Sequence, residues 1–143
     1  MAEIKKRSDY FKRTKLFEPF QPNPTEVIGK GTKGDCVIRA LCAVLGLNWI
    51  EAFDLLVESA RKTYNVPNDK ENYRLVLKQA GFEEYTCKAV QGEKRMTVEG
   101  LAKKYPDAKI FVKVANHATA IVNGKIMDSW NPANKCVYRY FKK

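Results

Sequence analysis

The sequence has few of the histidine and cysteine residues that form metal sites and disulfide frameworks. It contains one histidine, and its four cysteines form no Cys-x-x-Cys pair. A usual zinc site would require the fold to gather distant thiols. We therefore expect no metal ion and no cofactor. Two disulfides would use all four cysteines, but a chain with an ample core and no export signal is expected to keep its thiols reduced.

Long apolar segments are also missing. The sequence has no run of about 18 apolar residues, the length that spans a bilayer. The basic N-terminus is not followed by the apolar region and small-residue cleavage site of a signal peptide. From this we expect a cytoplasmic protein without a membrane partner. The length of 143 residues favours a single domain, and we expect a monomer.

Acidic residues are outnumbered by basic ones, 16 against 26, which gives a net charge of +10. Such a charge favours acidic partners, including nucleic acid, at low salt. However, the basic residues are spread along the chain without the aromatic residues that interleave with them in single-strand-binding modules. We interpret them mainly as solvated surface, with weak binding of nucleic acid or an acidic partner as a secondary expectation.

The order of the patterns predicts an α+β fold. Residues 1–31 are basic, interrupted by prolines and rich in glycine at the end, so we assign them to a leader and loop and place the domain at 32–143. An apolar helix follows, with Asp35 as N-cap and Gly46 at its C-terminus. Further helices are expected after Asn48, with an apolar stripe that includes Phe53, and after Asp69. A short helix at 97–104 and several strands complete the chain.

Cys36 lies at the first turn of the apolar helix, directly behind a glycine-containing loop. The helix dipole and the free N–H groups of the first turn favour the thiolate at such a position. A small core residue is the ordinary alternative for a free cysteine. We assign the other three cysteines, Cys42, Cys87 and Cys136, to packing.

The predicted hairpin that contains His117 indicates a role for this residue. Asn123-Gly124 separates two alternating apolar segments, which is the strongest short-range signal for a two-residue type I′ turn. Counting outward from that turn places His117 and Asp128 on one face as diagonal neighbours, within hydrogen-bonding reach. Trp130 would lie opposite His117 and could cover that bond from water. An Asp–His pair can also be purely structural, but with a cysteine at a helix N-terminus it provides nucleophile, base and orienting carboxylate.

The order of these residues resembles the papain-like cysteine peptidases. In that superfamily a cysteine opens a central helix, a histidine opens a later strand, and Asp128-Ser129-Trp130 stands where Asn-Ser-Trp is usual. The spacing from His117 to Asp128 is similar to that of bacterial peptidases that trim leader peptides during transport. The segment GDCVIRAL resembles short bacterial and bacteriophage proteins of the same superfamily. The resemblance covers about residues 30–131.

The resemblance implies a papain-like fold and hydrolysis of a peptide, isopeptide or other amide bond. Cys36 would attack the acyl carbon, His117 would serve as base and then acid, and Asp128 would orient the imidazole. The position about six residues before the cysteine, usually a glutamine that donates to the oxyanion, is Lys30 here. Lys30 could supply a cation in its place, and Thr32, Gln21 and Asn23 are further donors, none of which matches by spacing. With Trp130, Lys30 and Thr32 are the substrate or oxyanion candidates. The backbone N–H of Cys36 would supply one donor in any case.

Two other functions remain open from the sequence. The same triad could transfer the acyl group to an amine, as in transglutaminase-like folds. Alternatively, the chain could be an inactive papain-like protein that binds nucleic acid or an acidic protein through its basic surface. Binding with strong salt dependence that is unaffected by Cys36→Ala would favour this last function.

Overall fold

A computed structural model describes residues 16–26 and 34–143, and the fold within these ranges is α+β. It contains four helices and one six-stranded sheet. The helices are α1 (Cys36–Leu45), α2 (Trp49–Thr63), α3 (Lys70–Gln79) and α4 (Val98–Lys104). The strands are β1 (Phe17–Pro19), β2 (Glu83–Thr86), β3 (Lys109–Val114), β4 (His117–Val122), β5 (Lys125–Asp128) and β6 (Arg139–Lys142).

The helix ends follow the capping residues of the sequence, with one exception. The Asn48 side chain accepts from the backbone N–H of Glu51, whose side chain returns the bond, and the Asp69 side chain caps α3. Gly46 ends α1 in the left-handed conformation, with φ of 67°. Asp35 occupies the N-cap position of α1 but makes no side-chain capping bond. The predicted position of Asp35 is therefore right, but the predicted capping hydrogen bond is absent because its carboxylate binds other side chains.

The sheet has the strand order β1-β5-β4-β3-β6-β2. β1 runs parallel to β5, and all other neighbours are antiparallel. Asn123 and Gly124 both have positive φ, 51° and 76°, as a type I′ turn requires. The register of the β4–β5 hairpin is confirmed for the three pairs nearest the turn: Val122 with Lys125, Ile121 with Ile126, and Ala120 with Met127.

Two apolar clusters cover the sheet. The first joins α1, α2 and α3 to Phe111, Phe141, Ala118 and Ala120. The second joins α4 to the alternate residues of the central strands, among them Ile110, Val112 and Ile121. Helices on both sides therefore bury the middle of the sheet, and α1 lies directly against β4.

The segment before the first helix contributes more than the leader and loop expected there. Phe17–Pro19 forms the edge strand beside β5, and the N–H of Phe20 donates to the carbonyl of Asp128 at 2.8 Å. Asn23 is buried. The described part of this segment, residues 16–26, thus belongs to the sheet and its surroundings. The apolar stripe of α2 also differs from the prediction, since Phe53 is 36% exposed and Ala52 is buried instead.

No single helix among the described residues has the length and apolar character needed to cross a membrane. Only α1 and α2 taken together reach that length and composition, and a bend of 108° separates them.

Candidate active site

Cys36 is the first residue of α1, as the sequence predicted. It is partly buried, between the helix N-terminus and the start of β4. Burial alone would raise the pKa of the Cys36 thiol. A hydrogen bond with His117, one from the backbone N–H of Ala118 and the charges of His117 and Arg39 outweigh burial, so the pKa is lowered from its ordinary value.

His117 is the first residue of β4 and lies between the thiol and a carboxylate. Its Nε2 is 2.7 Å from Oδ2 of Asp128, the last residue of β5. Both residues are buried, with 8% and 1% of their surfaces exposed. Because Asp128 occupies Nε2, the other ring nitrogen, Nδ1, is the one that can exchange a proton with the thiol.

The pKa of His117 is raised from 6.5 to about 9. Burial lowers this pKa because it disfavours the imidazolium, but the hydrogen bonds to Asp128 and Cys36 and their charges raise it by more. Near neutral pH the imidazole therefore carries a proton while the thiol beside it has a lowered pKa. A protonated imidazole beside a thiol of lowered pKa favours an ion pair between thiolate and imidazolium.

Asp128 is held by three donors. Besides His117, the backbone N–H of Ser129 donates to its Oδ1 at 2.7 Å and Nε of Arg39 donates to the same oxygen at 3.2 Å. Arg39 is 4% exposed and is the only charged residue within α1. A buried carboxylate so fully bonded keeps one orientation toward the imidazole.

Arg39 also connects Asp128 to Asp35, the residue that precedes the nucleophile candidate. Its Nη1 donates to Oδ1 of Asp35 at 3.1 Å. The other oxygen of Asp35 accepts from Nδ2 of Asn23 and Nε1 of Trp49, both at 2.9 Å. Burial raises the pKa of Asp35, but these bonds and the charge of Arg39 lower it by more, so the net shift is downward.

The role of Arg39 was not predicted from the sequence, although two signals indicated it. It is a lone charge in an otherwise apolar helix, and it follows Asp35 at the i, i+4 spacing of a helical ion pair. Its second partner, Asp128, lies 89 residues away and could not be inferred from local spacing.

The substrate and oxyanion candidates fall into two groups. Lys30 and Thr32 lie outside the described residues. Trp130 packs on the imidazole of His117, with ring centroids 4.6 Å apart and the Trp130 surface 36% exposed. It therefore covers one side of the imidazole and keeps an exposed edge.

Gln21 is the other amide among the donors named from the sequence, and Asn23 is engaged with Asp35. It follows Phe20, whose N–H donates to the carbonyl of Asp128. Its Oε1 accepts from the backbone N–H of Asn23, while its Nε2 is buried and has no hydrogen-bond partner among the described residues. A buried donor without a partner is costly unless a ligand satisfies it.

The other cysteines differ from Cys36 in their surroundings. Burial raises the pKa of Cys42 to about 11, and burial also raises the pKa of Cys87. Cys42 packs in the core as expected, whereas Cys136 is exposed and the prediction that it packs is wrong. All four cysteines are free thiols.

Within residues 16–26 and 34–143 no cluster of histidine, cysteine and acidic side chains could hold a metal ion. In comparisons with known proteins, the chain matches no family model, no curated protein and no solved structure. Any functional conclusion therefore depends on the geometry of the site.

Proposed function

We propose that this protein is a papain-like cysteine hydrolase that cleaves a peptide, isopeptide or other amide bond. The observation that carries the proposal is the continuous hydrogen-bonded series from Cys36 through His117 to Asp128 at the N-terminus of α1. Nucleophilic thiol catalysis needs a thiolate, a proton carrier and a group that orients the carrier, and this series provides one of each.

In the first half of the reaction, the Cys36 thiolate attacks the carbonyl carbon of the amide. A tetrahedral intermediate forms, and its negative oxygen accepts from the backbone N–H of Cys36 and, in our proposal, from Nε2 of Gln21. The imidazolium of His117 gives its Nδ1 proton to the nitrogen of the leaving amine as the C–N bond breaks. The products of this half are a free amine and a thioester on Cys36.

In the second half, neutral His117 takes a proton from water, and the resulting hydroxide attacks the thioester carbon. The C–S bond then breaks, releasing a carboxylic acid and restoring the thiolate and imidazolium. Throughout the cycle Asp128 fixes the tautomer of His117 and stabilises its positive charge. An amine in place of water in this half would give acyl transfer by the same residues.

An acyl-enzyme experiment tests the proposal. The protein is incubated with p-nitrophenyl acetate at pH 7, quenched in acid and mapped by mass spectrometry. We expect an acetyl thioester on Cys36, absent in Cys36→Ala and sensitive to hydroxylamine. Exposed Cys136 provides the internal control for ordinary thiol reactivity. Acetylation of Cys136 at a rate equal to that of Cys36 would overturn the proposal.

A further inference from the structure

A second feature of the molecule is a basic pocket that adjoins the site and has no part in the proposed thiol chemistry. It has a volume of about 540 Å³, within the size range of ligand sites. Strands β2, β3 and β6, the start of α3 and the segment after β2 form its walls. Five of its lining side chains are cationic and none is acidic: Lys70, Lys88, Arg95, Lys113 and Arg139.

Lys113 connects this basic pocket to the triad. Its Nζ donates to the backbone carbonyl of His117 and to that of Val114, both at 3.2 Å. An ammonium group has three N–H donors, so one remains for a ligand. The wall of the pocket thus touches the backbone of the residue proposed as base.

Arg95 has a hydrogen-bond donor that no described residue satisfies, which favours a ligand in this pocket. Its guanidinium lies over the ring of Tyr138, 4.3 Å from the centroid, and one Nη donates weakly to the carbonyl of Cys87 at 3.4 Å. Its Nε is buried and has no hydrogen-bond partner among the described residues. No carboxylate in the described part of the chain forms an ion pair with Arg95, Lys88, Lys70 or Lys113, whereas Arg139 is paired with Glu84 at 2.8 Å.

We infer that the basic pocket binds an acidic segment of the substrate, namely glutamate or aspartate side chains a few residues from the bond that Cys36 attacks. This inference rests on the proposed function, because it places the pocket on the path of a peptide already bound at Cys36. The Lys113 ammonium bonds the His117 carbonyl, and an extended peptide advances about 3.3 Å per residue, so we place the acidic residues within a few positions of the bond that Cys36 attacks.

The chemistry of the pocket favours a peptide over nucleic acid. Single-stranded nucleic acid needs open aromatic faces on which bases stack. Tyr138 already carries Arg95 over its ring, and Tyr73 is only 4% exposed. What the pocket offers is charge-assisted hydrogen bonding in a small concave space, which suits separate carboxylates.

Binding is tested on the Cys36→Ala protein, so that the result is independent of catalysis. Fluorescence polarisation measures the Kd of fluorescein-labelled hexaglutamate, with hexaglutamine as the uncharged probe. We expect Arg95→Gln and Lys88→Gln each to weaken hexaglutamate binding about fivefold or more, because each removes a cation that lines the pocket. The exposed residues Arg61 and Lys109 provide matched controls, and Arg61→Gln and Lys109→Gln should leave the Kd within about twofold.

Three results would overturn the inference. One is an equal loss of hexaglutamate affinity in the pocket and control variants, which would indicate attraction by the net positive charge of the protein only. Another is binding of hexaglutamine as tight as that of hexaglutamate. A third is pocket-dependent binding of a thymidine decamer tighter than that of hexaglutamate, which would assign the pocket to nucleic acid.

A second experiment, on the protein with Cys36 intact, tests whether a peptide bound in the pocket also reaches the triad. Chloroacetamide is attached to either end of triglutamate or of triglutamine, and modification of Cys36 is followed by mass spectrometry. We expect at least one triglutamate reagent to react about fivefold faster than its triglutamine counterpart, and Arg95→Gln to remove the difference. Equal rates for both peptides would overturn the link between pocket and triad. Failure of every reagent at Cys36, with hexaglutamate binding retained, would instead count against the proposed function.

Discussion

At the scale of single residues, the chemistry depends on how Cys36 differs from three other thiols of the same chain. Its pKa is lowered, whereas burial raises the pKa values of Cys42 and Cys87. Cys136 is exposed and is therefore its main competitor for reagents. The difference arises from the imidazolium of His117 and the N–H of Ala118 rather than from accessibility, because Cys36 is the more buried of the two.

The first prediction concerns alkylation by iodoacetamide between pH 5 and 9. Cys36 should react faster than Cys136 below about pH 8, because its own lowered pKa increases its thiolate fraction. His117→Ala should slow Cys36 at low pH by about tenfold or more, since it removes the imidazolium that lowers the thiol pKa. Peptide mapping by mass spectrometry gives the rate for each cysteine. Rates at Cys36 that do not change in His117→Ala would show that the thiol and the imidazole are uncoupled.

Gln21 permits a second prediction, because two reagents distinguish oxyanion stabilisation from nucleophilicity. Acylation by p-nitrophenyl acetate passes through an oxyanion, whereas alkylation by iodoacetamide does not. We expect Gln21→Ala to slow acylation of Cys36 by about 10- to 100-fold, since one oxyanion donor is lost, and to leave alkylation unchanged. The same change at exposed Gln91 is the control and should affect neither reaction. If Gln21→Ala slowed both reactions equally, Gln21 would be part of the supporting structure only.

At the scale of elements, Arg39 fixes α1 against the end of β5. It joins Asp35, at the N-terminus of the helix, to Asp128, at the end of the strand. Asp35 directly precedes Cys36 in the chain, and Asp128 bonds to His117. We therefore interpret Arg39 as a positioning residue, which acts on the reaction through Asp128 and through its charge near Cys36.

The third prediction separates these two effects of Arg39. Arg39→Lys keeps the positive charge but loses the planar guanidinium that binds Asp35 and Asp128 together. The pH dependence of Cys36 alkylation should therefore stay nearly unchanged, whereas acylation should slow about tenfold. Arg39→Gln removes the charge as well and should also raise the thiol pKa. The variants of this buried group will be less stable, by about 3–5 kcal/mol for Arg39→Gln, and urea unfolding identifies the folded conditions for both assays.

The control for Arg39 is Arg74→Gln, which removes a partly buried ion pair between α3 and Glu84. It should leave the pH profile of Cys36 unchanged. If Arg39→Gln lowered stability without moving that profile, Arg39 would be structural and would have no influence on the thiol.

The elements also show which features a single sequence can predict. The β4–β5 hairpin follows from Asn123-Gly124 and the alternation beside it, because a two-residue turn determines its own register. The His117–Asp128 contact follows from that register. Helix ends at Asn48 and Asp69 are equally local, since each cap bonds to N–H groups in the next turn.

Features that depend on distant contacts could not be predicted in this way. β1 pairs with β5, more than a hundred residues later, and no turn relates the two strands. Prolines made this segment resemble a loop, but Pro19 lies on an edge strand, where a missing N–H is tolerated. Asp35 was expected to cap α1, yet Arg39, Asn23 and Trp49 provide stronger partners once the chain is folded.

At the scale of the whole molecule, the proton shared by Cys36 and His117 affects stability as a function of pH. The raised pKa of His117 contributes stability that is complete below 6.5 and is lost as pH rises to about 9. The lowered pKa of Cys36 contributes stability that is present above its ordinary value of 9.0 and is lost as pH falls. Over the same pH range the two slopes have opposite signs, so in the wild-type protein they partly cancel.

Cys36→Ser should expose the histidine contribution alone, because serine does not ionise in this range and Asp128 still raises the pKa of His117. We expect its free energy of unfolding to fall more steeply than that of the wild type just above pH 6.5, over a range that ends earlier than in the wild type because the contribution of Cys36 to the raised pKa of His117 is lost. The additional slope is at most about 1.4 kcal/mol per pH unit, the value for one proton. Urea unfolding followed by circular dichroism at half-unit pH intervals measures it. Exposed Cys136→Ser should follow the wild-type curve. Parallel curves for Cys36→Ser and the wild type would mean that folding moves no proton from the thiol to the imidazole, and the thiolate–imidazolium pair would have to be abandoned.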